Sequence, residues 1–176
     1  QLAPFNYGNN PEALAEIWEA QAAAAEMPGA GMAVVNDIGN LSDIHPRNKD
    51  DVGKRLAWLA LNKTYGKSDI VCEGPVFDRF EIVDNALRVY FKNVKTLSTR
   101  DGAAPNWFQI CGADGVFHEA AAVIDGASVV LTAADVTTPV AVRFAWDQCA
   151  EPNLKNEAGL PASAFRAGNV PAGGAE

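Results

Sequence analysis

Asp43 and His45 stand two residues apart in the run Ser42-Asp43-Ile44-His45-Pro46-Arg47-Asn48-Lys49. A carboxylate beside an imidazole is the acid and base end of a serine-esterase triad. There the acid orients the base, and the base takes the proton of a nucleophile. The third member is not evident. The five serines are Ser42, Ser68, Ser98, Ser128 and Ser163, and none stands in a Gly-Asp-Ser or Gly-x-Ser-x-Gly context. On spacing alone the plainer reading leads, His45 as a helix cap and Asp43 as an ordinary loop acid. Asp37, earlier in the same polar loop, is the alternative acid.

Such a pair needs elements to hold it. Leu2-Ala3-Pro4-Phe5 reads as the end of a strand. Asn10-Pro11 opens a helix over residues 11–26, because Asn caps and Pro fits the first turn; Leu14, Ile17, Trp18 and Ala25 share one side. Met32-Ala33-Val34-Val35 suits a short buried strand. Residues 36–45 form a polar loop. Residues 46–65 then read as a second helix with an apolar stripe of Val52, Leu56, Leu59 and Ala60, stopped by Gly66. His45 would be the N-cap of that helix, with Pro46 as its first residue, at the carboxyl edge of a parallel sheet.

Past Gly74-Pro75 the period changes to two. Phe80 and Ile82 alternate with Arg79 and Glu81; Leu87, Val89 and Phe91 with Arg88, Tyr90 and Lys92; and Val140, Val142, Phe144 and Trp146 share a face opposite Arg143. Asp84-Asn85, Asp114-Gly115 and Asp125-Gly126 fall between such runs as hairpin signals. The expected fold class is therefore α/β followed by all-β. Residues 1–70 would be part of an α/β sheet domain, 71–166 an antiparallel β-sandwich or jelly-roll-like module of about six strands, and 167–176 a disordered tail.

Charge narrows the partners. The net charge of −8 disfavours nucleic acid, whose phosphates an acidic surface repels. No apolar run approaches the ~20 residues that span a bilayer, so no membrane partner is expected. Residues 1–45 carry six acids and no Lys or Arg, whereas residues 46–67 carry six bases and two acids. The second stretch reads as a solvated helix face with i,i+4 pairs Asp50–Lys54 and Asp51–Arg55, each worth about 0.2–0.5 kcal/mol.

Other side chains carry less. Cys72, Cys111 and Cys149 are odd in number and lack CxxC spacing, so they read as small buried hydrophobes, not as a disulfide framework or zinc site. His118 alternates along a β run and reads as solvent-facing. Trp107 and Trp146 could stack on sugars, although half-buried strand tryptophans are commoner. Arg47 and Lys49 could meet an acidic sugar near His45. No metal, nucleotide or redox cofactor is implied.

The wider pattern carries a resemblance. Asp43-Ile44-His45-Pro46-Arg47-Asn48-Lys49, followed by Val52-Gly53-Lys54-Arg55-Leu56-Ala57, resembles the last catalytic block of the sialate O-acetylesterase family, SGNH-type hydrolases that remove acetyl groups from sugars. Gln1-Leu2-Ala3-Pro4-Phe5, Trp18-Glu19-Ala20-Gln21 and Gly31-Met32-Ala33-Val34 resemble preceding family segments. Gly112-Ala113-Asp114-Gly115, Pro139 to Trp146, Asn153-Leu154 and Gly159 to Ser163 resemble its C-terminal β module. The resemblance implies that His45 is the catalytic base. Asp43 is the favoured acid, although many SGNH enzymes place the acid three residues before the histidine, where this chain has Ser42. It further implies an acetylated sugar or glycan as substrate, with acetylxylan as an alternative, and a secreted or periplasmic setting. The family's nucleophile lies in a Gly-Asp-Ser-type segment, absent here. The chain is thus expected to be the C-terminal part of a longer enzyme and inactive alone. A non-catalytic, carbohydrate-contacting or structural role is the competing expectation.

Overall fold

A computed structural model describes residues 1–171. The alternating segments form ten strands: β1 (Val76–Val83), β2 (Ala86–Lys92), β3 (Ser98–Thr99), β4 (Phe108–Cys111), β5 (Phe117–Glu119), β6 (Ala121–Asp125), β7 (Ser128–Thr132), β8 (Ala141–Phe144), β9 (Leu154–Lys155) and β10 (Phe165–Gly168). All ladders are antiparallel. One sheet runs β1-β2-β7-β6, a second β10-β8-β4-β5, and β3 pairs with β9. Asp84-Asn85 and Gly126-Ala127 make the tight β1–β2 and β6–β7 turns, with Asp84 and Gly126 in the left-handed region (φ 54° and 63°) that such hairpins demand.

The two four-stranded sheets face each other. Leu87, Val89, Val129 and Leu131 from the first meet Phe108, Ile110, Val142, Phe144 and Phe165 from the second, in one buried cluster. Phe144 centres it, tilted against Phe108 at 4.5 Å between ring centroids and stacked on Phe165 at 5.9 Å. The period-two pattern thus encodes a sandwich, the inward face apolar and the outward face charged.

Two residues of the expected disordered tail are strand instead: Ala167 and Gly168 complete β10, paired with Val142 and Ala141. Residues 172–176 of that tail lie outside the described residues.

The first seventy residues depart further from expectation. Two helices form, α1 (Ala13–Ala25) and α2 (Asp50–Leu59), the latter ending in a π turn at Ala60–Thr64. Neither Leu2–Phe5 nor Met32–Val35 is a strand, and no parallel sheet is present among the described residues. Gln1, just ahead of the first segment, bonds the second: its main-chain nitrogen donates to Ala33 O (3.1 Å) while its side-chain oxygen accepts from Val35 N (2.7 Å). One contact pair is not a ladder.

These elements dock on the sandwich. α1 turns Leu14, Ala15 and Trp18 onto Trp146, so Ala15 takes the buried place expected for Ile17, which is exposed. The outward arginines of the second sheet seal this contact. Arg143 reaches Glu12 (2.6 Å) and Gln109 (2.6 Å) over the Phe117 ring, and Arg166 pairs with Glu19 (2.9 Å). The buried Asn36 donates to Ala162 O (2.9 Å). No helix among the described residues is long and apolar enough to cross a membrane.

Candidate functional site

The loop from Asn36 to Lys49 carries Asp37, Asp43 and His45, and its two ends are fixed differently. At the start, both Asp37 oxygens accept from Arg55, at 2.7 Å each, and the same guanidinium donates to Val34 O at 2.6 Å. The pair is nearly shielded, the Arg55 and Asp37 side chains retaining 8% and 13% exposure. The expected Asp51–Arg55 pair is therefore not formed. Arg55 turns inward, because a shielded fork on a carboxylate is worth more than one solvated i,i+4 contact. Lys54 takes the surface pairs instead, with Asp50 at 2.6 Å and Asp51 at 3.8 Å.

At the far end the helix starts later than expected. Its first residue is Asp50, so His45 is not its cap and Pro46 not its first turn. Asn48 supplies the reason. Its side-chain oxygen accepts from Asp51 N (3.1 Å) and its side-chain amide donates to the Asp51 carboxylate (2.8 Å), a reciprocal lock that sets the start four residues past Pro46. The Asn48 bond also holds the Asp51 carboxyl below the usual carboxylate range. Asn48→Ala is expected to cost about 0.5–2 kcal/mol in a urea melt and to move the Asp51 titration upward by NMR; an unchanged titration would contradict the lock.

Between these ends the loop is built from side-chain turns. Asn40 accepts from the Ser42 amide (3.0 Å) and hydroxyl (2.8 Å), and Asp43 Oδ1 accepts the His45 amide (2.9 Å). The structure brings the two sequence candidates together: His45 Nδ1 lies 3.8 Å from Asp43 Oδ1, in ion-pair range but beyond a hydrogen bond. Both are open to solvent, the His45 side chain at 87% exposure and Asp43 at 49%. Asp37 differs, since both of its oxygens are committed to Arg55.

An open recess of about 590 Å³ adjoins this loop, lined by residues 38–42 and 46–48, by Asn6, and by Cys149 and Glu151 from the β portion. Cys149 is a poor nucleophile there. Burial pushes its thiol up, and the Asp147 and Glu151 carboxylates add to that. A more enclosed cavity of about 230 Å³ lies elsewhere, between α1, residues 32–34 and the sandwich, and neither hollow is lined by Asp43 or His45.

The remaining candidates settle as follows. Cys111 is buried in β4, whereas Cys72 and Cys149 are half-buried. His118 is not solvent-facing; it is half-buried between Asp114 (3.6 Å) and Asp135 (3.8 Å). Trp146 is sealed under α1, while Trp107 is exposed in the left-handed region (φ 62°). Among the described residues no cluster of His, Cys, Asp and Glu could hold a metal ion. Sequence reading missed Arg55 as the Asp37 partner, Asn48 as the helix lock, and Arg100, whose guanidinium donates to Asp37 O (2.6 Å) and Glu151 O (3.3 Å). Only Asn48 left a sequence signal, as an Asn–acid pair three residues apart.

No family model and no curated protein matches the chain. A crystal structure of a novel carbohydrate acetylesterase from Xanthomonas citri does, with 41% sequence identity and a TM-score of 0.89 over 95% of this chain and 40% of that one. The chain thus spans about 40% of the length of that acetylesterase.

Proposed function

We propose that this chain is the part of a carbohydrate O-acetylesterase that supplies the base and acid of an SGNH-type triad, His45 and Asp43. The similarity to the Xanthomonas citri acetylesterase over nearly the whole chain carries the reading. The juxtaposition of the two side chains in a solvent-open loop supports it.

The chemistry follows from the two nitrogens of His45. Nδ1 is the nitrogen near Asp43, which leaves Nε2 to act as base. A serine supplied from outside this chain attacks the acetyl carbonyl, and His45 takes its proton. The tetrahedral intermediate expels the sugar oxygen, which His45 protonates. Water, deprotonated by His45, then attacks the acetyl-serine, and as acetate leaves His45 returns the proton to the serine oxygen. Asp43 keeps the ring in the productive tautomer and offsets the imidazolium charge.

The sequence resemblance makes the substrate a sialate O-acetyl ester, and Arg47 beside the loop suits an acidic sugar. Glu151 in the same recess favours the second substrate reading, acetylxylan or another neutral acetylated glycan. Because the serine is external, the chain alone is expected to hydrolyse p-nitrophenyl acetate no faster than an equal concentration of free imidazole. Faster turnover that His45→Ala abolishes would reveal a nucleophile within the chain. Faster turnover that survives His45→Ala would place the site elsewhere.

A further inference from the structure

Asp43 and His45 are held by their own loop and by little else. Asp43 Oδ1 accepts the His45 amide at 2.9 Å, and the Asp43 amide donates to Asn40 O at 3.2 Å. Both side chains stand in solvent. Where the pair sits is therefore set by what grips the ends of the loop. At the stem Arg55 closes on the Asp37 carboxylate, but Arg55 comes from α2, at the loop's own far end. That grip fastens the loop to itself. Among the described residues, two hydrogen bonds fasten residues 36–49 to the β portion: Asn36 Nδ2 donates to Ala162 O at 2.9 Å, and Arg100 Nη1 donates to Asp37 O at 2.6 Å.

Arg100 is mounted rigidly. Its amide donates to Asn153 O at 3.0 Å, beside the β3–β9 pairing. Asn153 is buried, and its side-chain nitrogen donates to Asp101 Oδ1 (3.0 Å) and Ala104 O (2.9 Å). Asn153 and Asn106 each donate a main-chain amide to the other's side-chain oxygen, at 3.0 and 3.2 Å. From this knot the guanidinium reaches across to Asp37 O, while its Nη2 donates to Glu151 O at 3.3 Å. It makes no ion pair among the described residues. Its charge goes instead into two main-chain carbonyls, in bonds stronger than neutral ones, and one of these carbonyls is the stem of the acid–base loop.

We propose that Arg100 is a positioning residue for the esterase: through Asp37 O it sets where Asp43 and His45 stand, so that the β portion governs the rate of the reaction as well as the stability of the fold. The inference rests on the acetylesterase reading and deepens it. The reason is geometric. The pair serves a serine held on a separate segment, so Nε2 meets that hydroxyl only if the loop is fixed against the rest of the molecule. A shift of about 1 Å in such a group costs about 10²-fold in rate. Asn36 lies one residue further back, which makes Arg100 the last hydrogen-bonded tie to the β portion before the chain reaches Asp43.

The test uses a polypeptide that supplies the serine together with this chain, with Arg100→Ala and Arg100→Lys read by kinetics on an acetylated sugar and by amide hydrogen exchange. Arg100 is exposed and outside the core, so neither variant is expected to unfold the chain. Arg100→Ala is expected to lower kcat about 10- to 100-fold and to leave KM within about twofold. Arg100→Lys, which keeps one donor for Asp37 O, is expected to recover part of that loss. The hydrogen-bonded amides of Ile38, Ser42, Asp43 and His45 are expected to exchange about tenfold faster in Arg100→Ala, the scale of one lost hydrogen bond, while those of Leu87, Val129 and Val142 stay unchanged. Exchange that rises equally in those core strands would make Arg100 merely structural and overturn the proposal, and so would an unchanged kcat. The esterase reading fails separately: then the unsubstituted polypeptide shows no His45-dependent hydrolysis, while Arg100→Ala still loosens the loop. In that case the brace stands and its effect on rate falls with the reading.

Discussion

In a polypeptide that supplies the serine together with this chain, His45→Ala is expected to lower kcat for acetyl-ester hydrolysis about 10³-fold or more, with little change in KM. The size follows from the role. Without an imidazole the serine keeps its proton, and residual rate comes only from substrate binding and oxyanion stabilisation. The melt should barely move, within about 0.5 kcal/mol, because the His45 side chain is 87% exposed and, among the described residues, its ring meets Asp43 alone, at 3.8 Å. Asp43→Asn separates charge from shape. An asparagine oxygen can still accept the His45 amide as Asp43 does now, so the turn persists while the carboxylate is lost. A fall of about 10²- to 10⁴-fold in kcat is expected for it. Full activity in His45→Ala, measured on an acetylated sugar, would remove this residue from the mechanism.

What the sequence made legible was local. The β-sandwich could be read because each strand states its inward face in alternation, Leu87 with Val89 or Val142 with Phe144, and because Asp84 and Gly126 mark turns by their own backbone preference. α1 was legible as a helix, but its start was not: it begins at Ala13 with Glu12 at the cap, and the Asn10 side chain, expected to cap it, only accepts from Glu12 N (3.3 Å) just ahead. What failed depended on partners remote in sequence. Met32–Val35 has the composition of a buried strand, yet a strand exists only where a neighbour completes its ladder, and among the described residues no strand pairs with it; Gln1 and Arg55 supply separate hydrogen bonds instead. Pro46 fits a helix start, but the Asn48–Asp51 lock supplies better hydrogen bonding a few residues on. Arg55 looked like an ordinary surface cation of α2. Its pairing with Asp37, eighteen residues back, depends on how the loop folds over the helix. The same holds for Arg100, sixty-three residues from Asp37, and hence for the recess that it braces. The Asp43–His45 juxtaposition was visible because both residues belong to one short turn.

Arg55 therefore sets up the second large effect, in stability. Arg55→Ala is expected to destabilise the fold by about 3–5 kcal/mol in urea, because it strands a nearly buried carboxylate and takes the donor from Val34 O. Against a typical total of about 5–15 kcal/mol, that is enough to unfold a substantial share of molecules on mild warming. The cost should lie mainly in the orphaned charge and not in a large net worth of the pair. The double variant Asp37→Leu/Arg55→Leu is thus expected to recover more than half of the loss, which a double-mutant cycle measures directly. This also separates the two candidate acids. If Asp37 oriented His45, Asp37→Asn would depress kcat and leave the melt nearly unchanged. With both of its oxygens on Arg55, the expected order is reversed: Asp37→Asn lowers the urea midpoint and spares kcat in the molecules that remain folded, while Asp43→Asn spares the midpoint and lowers kcat.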